Sequence, residues 1–161
     1  MRKIDVLLEA YGESHQTDLN RKIHYVCVPA IFFSLLGLLY SIPVYRLFTD
    51  IFEPSVTKHI NLASVLVVFG TFYYLSLSLK LAVSMLVLSL LALALIHVIE
   101  LSHIAPLWLV MVVIFVLAWI GQFVGHQHEG KKPSFVEDLQ FLMIGPAWTL
   151  SHLYERLGIR M

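Results

Sequence analysis

Residues 81–99 read LAVSMLVLSLLALALIHVI, a run without a single Asp, Glu, Lys or Arg. A stretch of this length and composition approaches the roughly 20 apolar residues with which a helix crosses the hydrocarbon core of a bilayer. Helix is the expected form, because an isolated β-segment would leave its backbone N–H and C=O groups without hydrogen bonds in lipid. Residues 81–99 therefore predict a transmembrane helix.

Similar apolar segments lie on both sides of this run. They extend over about Tyr25 to Leu47, Ile60 to Leu79 and Ala105 to Val124. Pro29 and Pro43 interrupt the first of them, and Lys80 alone separates the second from residues 81–99. Together they predict four membrane spans in an all-α, multi-pass helical bundle. No linker or repeat divides the chain, so we expect a single integral-membrane domain over residues 1–161.

A fifth segment, residues 135–157, is more polar at both ends, and Gly145-Pro146 interrupts its middle. It predicts a broken or re-entrant helical segment, with a full fifth span as the alternative. Near the N-terminus, Leu7, Leu8 and Tyr11 predict a short helix with one apolar face that lies on the membrane interface. An N-terminal helix that packs on the bundle is the alternative.

The composition agrees with a bilayer as solvent. Of the 161 residues, 58% are hydrophobic and only 14% are charged, against about 25% charged in soluble domains. The formal net charge is zero, so no global field attracts nucleic acid. The single cysteine, Cys27, cannot form an internal disulfide.

The basic residues predict the orientation of the bundle. With a cytoplasmic N-terminus, Arg46 and Lys58 lie on the far side, and seven basic residues lie on the cytoplasmic side, where Lys and Arg are enriched in membrane proteins. These seven are Arg2, Lys3, Arg21, Lys22, Lys80, Lys131 and Lys132.

Two histidine-containing segments, residues 15–24 and 125–133, fall at this same end. His59, His97 and His103 fall at the other end, about 30 Å away across the bilayer. On one continuous helix, His15 and His24 would lie on opposite faces, at about 100° per residue. They converge only if the chain turns between them, and residues 17–20 (Thr-Asp-Leu-Asn) supply capping and turn side chains.

His126 follows Gly125, which allows a close approach of the backbone, and His128 points away from it on a helix. These residues predict a metal site at the cytoplasmic end. Imidazole ligands without a thiolate suit Fe(II), Zn(II), Cu or Ni. The alternatives are that interfacial histidines are ordinary hydrogen-bonding residues, and that Lys131 and Lys132 only set the topology rather than receive a substrate carboxylate.

Three motifs follow one another along the chain in a recognisable order. They are Tyr11-x-x-x-His15, then Asn20-x-x-x-His24 followed by Pro29, then Trp119-Ile-Gly-Gln-Phe-Val-Gly-His126 with Glu129 and Pro133. With these motifs the chain resembles the membrane 2-hydroxy-fatty-acid dioxygenase family over about residues 7–157. Glu129 matches a family glutamate but is one residue closer to the histidine than in the eukaryotic form. The short C-terminal tail resembles that of bacterial members.

The resemblance implies an Fe(II)-dependent dioxygenase that uses O2, without 2-oxoglutarate, to shorten a 2-hydroxy fatty acid by one carbon. It implies a metal site of His15, His24 and His126. It also implies catalytic roles for Asn20 and Glu129, the latter either as a metal ligand or beside the ligands, and substrate binding by Tyr11. From their position beside the histidines, Lys131 and Lys132 are expected to bind the substrate carboxylate. The expected location is a bacterial inner membrane, or the endoplasmic reticulum in a eukaryote.

Two functions of other classes stay open at this point. One is a membrane transporter whose histidines relay protons or metal ions. Against it, charged residues within the apolar segments are almost absent, and no pair of broken helices marks a midplane site. The other is a non-catalytic membrane scaffold. Tight stoichiometric metal would separate the enzyme from the scaffold, and O2 consumption that depends on a 2-hydroxy acid would separate it from both.

Overall fold

A computed structural model describes residues 2–44, 61–130 and 141–158 of the chain. These residues form six α-helices and no strand, which confirms the all-α class. In chain order the helices are α1 (Lys3–Gly12), α2 (Asp18–Tyr40), α3 (Leu62–Leu75), α4 (Leu79–Ser102), α5 (Leu107–Glu129) and α6 (Ile144–Arg156).

Three of these helices are long and apolar enough to cross a membrane. They are α2, α4 and α5, with 23, 24 and 23 residues, so each is about 35 Å long at 1.5 Å per residue. Large apolar side chains such as Phe69, Leu91 and Leu117 are more than 60% exposed on the outside of the bundle. An outer surface of this kind is expected where lipid, rather than water, surrounds the protein.

The second predicted span is shorter in the structure than in the sequence analysis. Helix α3 has only 14 residues, about 21 Å, which is less than the hydrocarbon thickness. Asn61 starts it in a capping box with Ser64, and the chain leaves the helix at Ser76. Hydropathy alone does not detect such caps within an apolar run, so a fourth full span is not confirmed.

Helices α2 and α5 pack against each other along much of their length. A Cβ added at Gly121 would lie 2.6 Å from Cys27 Sγ, and one added at Gly125 would overlap Asn20 Oδ1. Glycines four residues apart on one helix face allow two backbones to approach closely. This pairing brings the end of α5 against the beginning of α2.

Helix α6 lies against α1 and α2 and begins at Ile144, so Gly145 and Pro146 occupy its first turn. The predicted broken or re-entrant segment is not confirmed; in the described part of it, residues 141–143 form a turn and a single helix follows. Proline in the first turn sacrifices no intrahelical hydrogen bond, which explains why a helix starts there. Residues 135–140 of the predicted segment lie outside the described residues.

Helix α1 lies at the same end of the bundle as α6. Ile4 and Tyr11 are buried, at 1% and 5% exposure, while Val6 is 47% exposed. The helix therefore packs one face on the bundle, as in the alternative considered from the sequence. The Tyr154 hydroxyl contacts Ser84 Oγ, which ties α6 to the first turns of α4. This end of the molecule carries the candidate site.

Candidate metal centre

Three buried histidines meet where α1, α2 and α5 come together. His15, His24 and His126 are 3%, 0% and 4% exposed. Each offers one ring nitrogen, and these three atoms all lie within 4.8 Å of one another. The convergence predicted from the sequence is confirmed. In the described part of the chain, this is the one group of three or more His, Cys, Asp or Glu side chains with metal-ligand spacing.

The turn between α1 and α2 brings His15 and His24 together. Helix α1 ends at Gly12, and α2 begins at Asp18 with Thr17 as its N-cap. The Thr17 hydroxyl accepts a hydrogen bond from the Asn20 backbone N–H at 3.4 Å. This cap satisfies one of the N–H groups that the start of a helix leaves open. The predicted turn between His15 and His24 is thus present; it lies over residues 13–17, and of the candidate residues 17–20 only Thr17 serves as the cap, because residues 18–20 are already helical.

The His15 and His24 rings are oriented by the same local device. His15 Nδ1 donates to the Tyr11 carbonyl at 2.7 Å, and His24 Nδ1 donates to the Asn20 carbonyl at 2.9 Å. In both cases the carbonyl lies four residues earlier in the chain. A proton fixed on Nδ1 leaves the lone pair on Nε2, which is the usual arrangement of histidines that bind a metal.

These residues fit a metal ion. His24 Nε2 is fully buried and has no hydrogen-bond partner in the structure, a costly state for a polar atom. Coordination would remove that cost, and metal–nitrogen bonds of about 2.1 Å require only small movements of the three rings. The all-imidazole donor set suits iron, zinc, copper or nickel and disfavours magnesium or calcium.

Glu129 lies beside the histidine group but outside it. Its Oε1 accepts from the Gln16 backbone N–H at 2.6 Å, and its Oε2 accepts from the Asn20 side-chain amide. The same amide donates to the Ser14 carbonyl at 3.2 Å. We call this set of contacts the Glu129 latch. It joins the last residue of α5 to the α1–α2 turn, and through Asn20 it reaches the carbonyl that orients His24.

Two aromatic rings cover the His15 side of the group. The Tyr11 ring stacks on His15 with centroids 4.4 Å apart, and Trp148 lies 5.2 Å from His15. Trp148 is 3% exposed, so together the rings form an apolar wall. A small cavity of about 20 Å³ adjoins the wall between Tyr11, Trp119 and Gln122. That volume holds about one water-sized molecule.

Gln16 and Trp148 also belong to the site, although neither is predicted from the sequence. Gln16 contributes its backbone N–H, and a sequence motif, which is defined by side chains, cannot reveal such a contact. Trp148 had one usable signal, since Trp148-x-x-x-His152 has the same spacing as Tyr11-x-x-x-His15. His152 Nδ1 indeed contacts the Trp148 carbonyl at 3.0 Å.

The remaining predicted residues lie elsewhere. His128 is exposed, as expected. His97, at the far end of α4, contacts the Tyr40 hydroxyl at 3.2 Å and Glu100 at 3.5 Å. Lys131 and Lys132 lie outside the described residues, so their predicted roles remain predictions.

Comparison with known proteins gives two findings. A protein-family model described as "2-hydroxy-palmitic acid dioxygenase Mpo1-like" matches residues 1–157. The chain is also 32% identical over 155 residues to the 2-hydroxy-palmitic acid dioxygenase MPO1 of Saccharomyces cerevisiae, covering 92% of this chain and 78% of the yeast protein. No solved structure shows a significant match.

Proposed function

Because the chain belongs to the Mpo1-like family, we propose that it is a membrane-embedded dioxygenase that oxidises long-chain 2-hydroxy fatty acids with O2. The observation that carries this proposal is the group of three buried imidazoles with ring nitrogens within 4.8 Å of one another. The dioxygenase name of the yeast relative supports an oxidoreductase. The long apolar helices suit a substrate that dissolves in the bilayer.

His15, His24 and His126 are the proposed ligands of Fe(II). When bound, the ion would supply the redox chemistry by which O2 oxidises the 2-hydroxy acid with cleavage of its C1–C2 bond, so that C2 becomes the carboxyl carbon of the shorter acid and C1 is released as CO2, with one molecule of water. Iron is proposed among the metals that suit imidazole because the relative is named a dioxygenase.

The remaining residues are proposed to hold this site in shape. The Tyr11 and Asn20 carbonyls fix two imidazole rings, and the Glu129 latch holds the end of α5, with His126, against them. Asn20 and Glu129, assigned catalytic roles by resemblance, are here proposed as positioning residues. The Tyr11 and Trp148 rings would keep water from the His15 side of the site.

The proposed site lies at the end of the bundle where Arg21, Lys22 and Lys80 also lie. By the positive-inside rule we propose that this end faces the cytoplasm, in a bacterial inner membrane or, in a eukaryote, the endoplasmic reticulum. A fatty acid could then enter sideways from the lipid, with its head group at the level of the histidines. Lys131 and Lys132 remain proposed contacts of its carboxylate.

Anaerobic purification in detergent, followed by metal analysis, tests the proposal. We expect about one iron per chain, as three convergent imidazoles form one site. Addition of O2 and 2-hydroxypalmitate should give pentadecanoate. A chelator should abolish the reaction, and Fe(II), but not Zn(II), should restore it. Metal transport without acid-dependent O2 consumption would favour the transporter, and absence of both metal and product would favour the scaffold.

Glu129→Ala tests the positioning role. We expect metal affinity to fall by about 10–100-fold, as for other residues that orient metal ligands, while a saturating metal concentration still fills the site. Titration of the metal-free protein with Co(II) measures this without turnover. The matched control is Glu100→Ala, which removes a carboxylate at the other end of the bundle and should leave the affinity unchanged. Complete loss of binding in a folded Glu129→Ala protein would instead identify Glu129 as a ligand.

A further inference from the structure

Helix α6 places two side chains on one face beside the metal centre. His152 and Arg156 are four residues apart, and such residues are neighbours on a helix surface. Both contact the ring of Tyr25, with the Arg156 guanidinium carbon 5.6 Å and the His152 ring 5.7 Å from its centroid. Tyr25 directly follows the proposed ligand His24 in the sequence.

The tryptophan of the apolar wall links this pair to the metal centre. The Trp148 ring lies 4.3 Å from the His152 ring, 5.6 Å from Tyr25 and 5.2 Å from His15. His152 is held by its Nδ1 contact with the Trp148 carbonyl at 3.0 Å, as His15 and His24 are held by theirs. His152 is not part of the three-histidine group, so it belongs to a second, adjoining set of side chains.

Arg156 forms no ion pair with an acidic side chain of the residues that the structure describes. Of the arginines in this described part, Arg2 pairs with Asp5 and Arg21 with Asp18, whereas Arg156 contacts the Tyr25 ring instead. Its side chain is exposed, and the guanidinium carbon lies over the Tyr25 ring in a cation–π contact. The donors of the guanidinium are therefore available to an anion that arrives from outside.

We propose that Arg156, on its Tyr25 platform and beside His152, is a docking subsite for the carboxylate of a long-chain fatty acid. The guanidinium fork matches a carboxylate with two parallel hydrogen bonds. The acyl chain would stay in the lipid, while the head group is held next to Trp148 before it moves to the metal centre. This assignment rests on the proposed function, and it makes Arg156 a substrate-binding residue rather than a catalytic one.

Arg156→Gln removes the charge and the fork, and we expect it to raise the KM for 2-hydroxypalmitate about tenfold, consistent with loss of a charge-assisted pair. The kcat and the iron content should not change. Arg156→Lys, which keeps the charge, should raise KM less. Arg21→Gln removes an arginine charge at the same end and should leave KM within about twofold, as expected for an exposed surface pair.

Binding to the metal-free protein separates this proposal from the proposed function. The dissociation constant of palmitate, which has no 2-hydroxyl, should rise in Arg156→Gln to the same extent as KM, whereas that of the neutral hexadecanol should not. If the wild type shows no turnover but the palmitate result holds, the subsite stands and the dioxygenase does not. Unchanged palmitate affinity overturns the subsite. An equal rise of the palmitate dissociation constant in Arg21→Gln also overturns it. The same holds if Arg156→Gln weakens the binding of phosphatidylglycerol but not that of palmitate.

Discussion

His126→Ala is expected to abolish metal binding and turnover together. His126 is 4% exposed and supplies the third buried imidazole of the group. It is the one member that lies on α5, since the other two are His15 and His24. Two imidazoles leave the ion with too few protein ligands, since metal sites of this kind use about three. We therefore expect iron below about a tenth of an atom per chain after the same purification.

His128→Ala is the matched control for this prediction. It removes the same side chain two residues further along α5, where the residue is exposed, and it should leave the iron content and kcat unchanged. Alanine is a strong helix former, so both variants are expected to fold. Circular dichroism of both proteins checks this. Full activity in His126→Ala, or loss of iron in His128→Ala as well, would contradict the assigned ligand set.

Gly125→Ala is expected to destabilise the protein, although alanine favours helix over glycine by about 1 kcal/mol. The added Cβ would overlap Asn20 Oδ1. That side chain cannot move aside easily, because it is 0% exposed and its amide is held by Ser14 and Glu129. Overpacking of a tight contact costs about 1–3 kcal/mol, so we expect a lower unfolding temperature and weaker metal binding.

Two further variants make the Gly125 prediction specific. Gly12→Ala places its Cβ 3.6 Å from Trp148 Nε1, an ordinary contact, and should not lower the unfolding temperature. Asn20→Ala combined with Gly125→Ala removes the overlap, so the double variant should be more stable than the sum of the two single effects predicts. An unfolding temperature in Gly125→Ala equal to that of the wild type would show that the two helices separate without cost.

The histidine group could be predicted because the spacing and capping of its residues are visible in short stretches of the sequence. The nine-position spacing of His15 and His24 excludes a shared helix face, and Thr17 is a favourable N-cap residue, so the turn follows from local chemistry. Charge placement then assigned His126 to the same end of the bundle. Gly125 predicted a close approach of the backbone to the histidine group, and the structure adds that Asn20 of α2 is the neighbour it accommodates.

Other features depend on contacts that a single sequence does not display. The family resemblance pointed to Glu129 but not to its partners. These are the Gln16 backbone N–H and the Asn20 side-chain amide, both more than a hundred residues away in the chain. The length of α3 is set by the Asn61 cap, which hydropathy ignores. Gly145-Pro146 reads equally well as a break or as a helix start, and only the packing of α6 on α1 and α2 decides between them.

The distance along the chain between the ligands also has a consequence for biosynthesis. His15 and His24 leave the ribosome about a hundred residues before His126. A nascent chain that has not yet placed α5 beside α2 therefore holds only two of the three proposed ligands and an incomplete Glu129 latch. If these histidines bind the metal as proposed, metal loading would be a late event that follows insertion of the last long helix. The unfinished protein would carry no redox-active ion into the membrane, and capture of the ion would mark the chain as assembled.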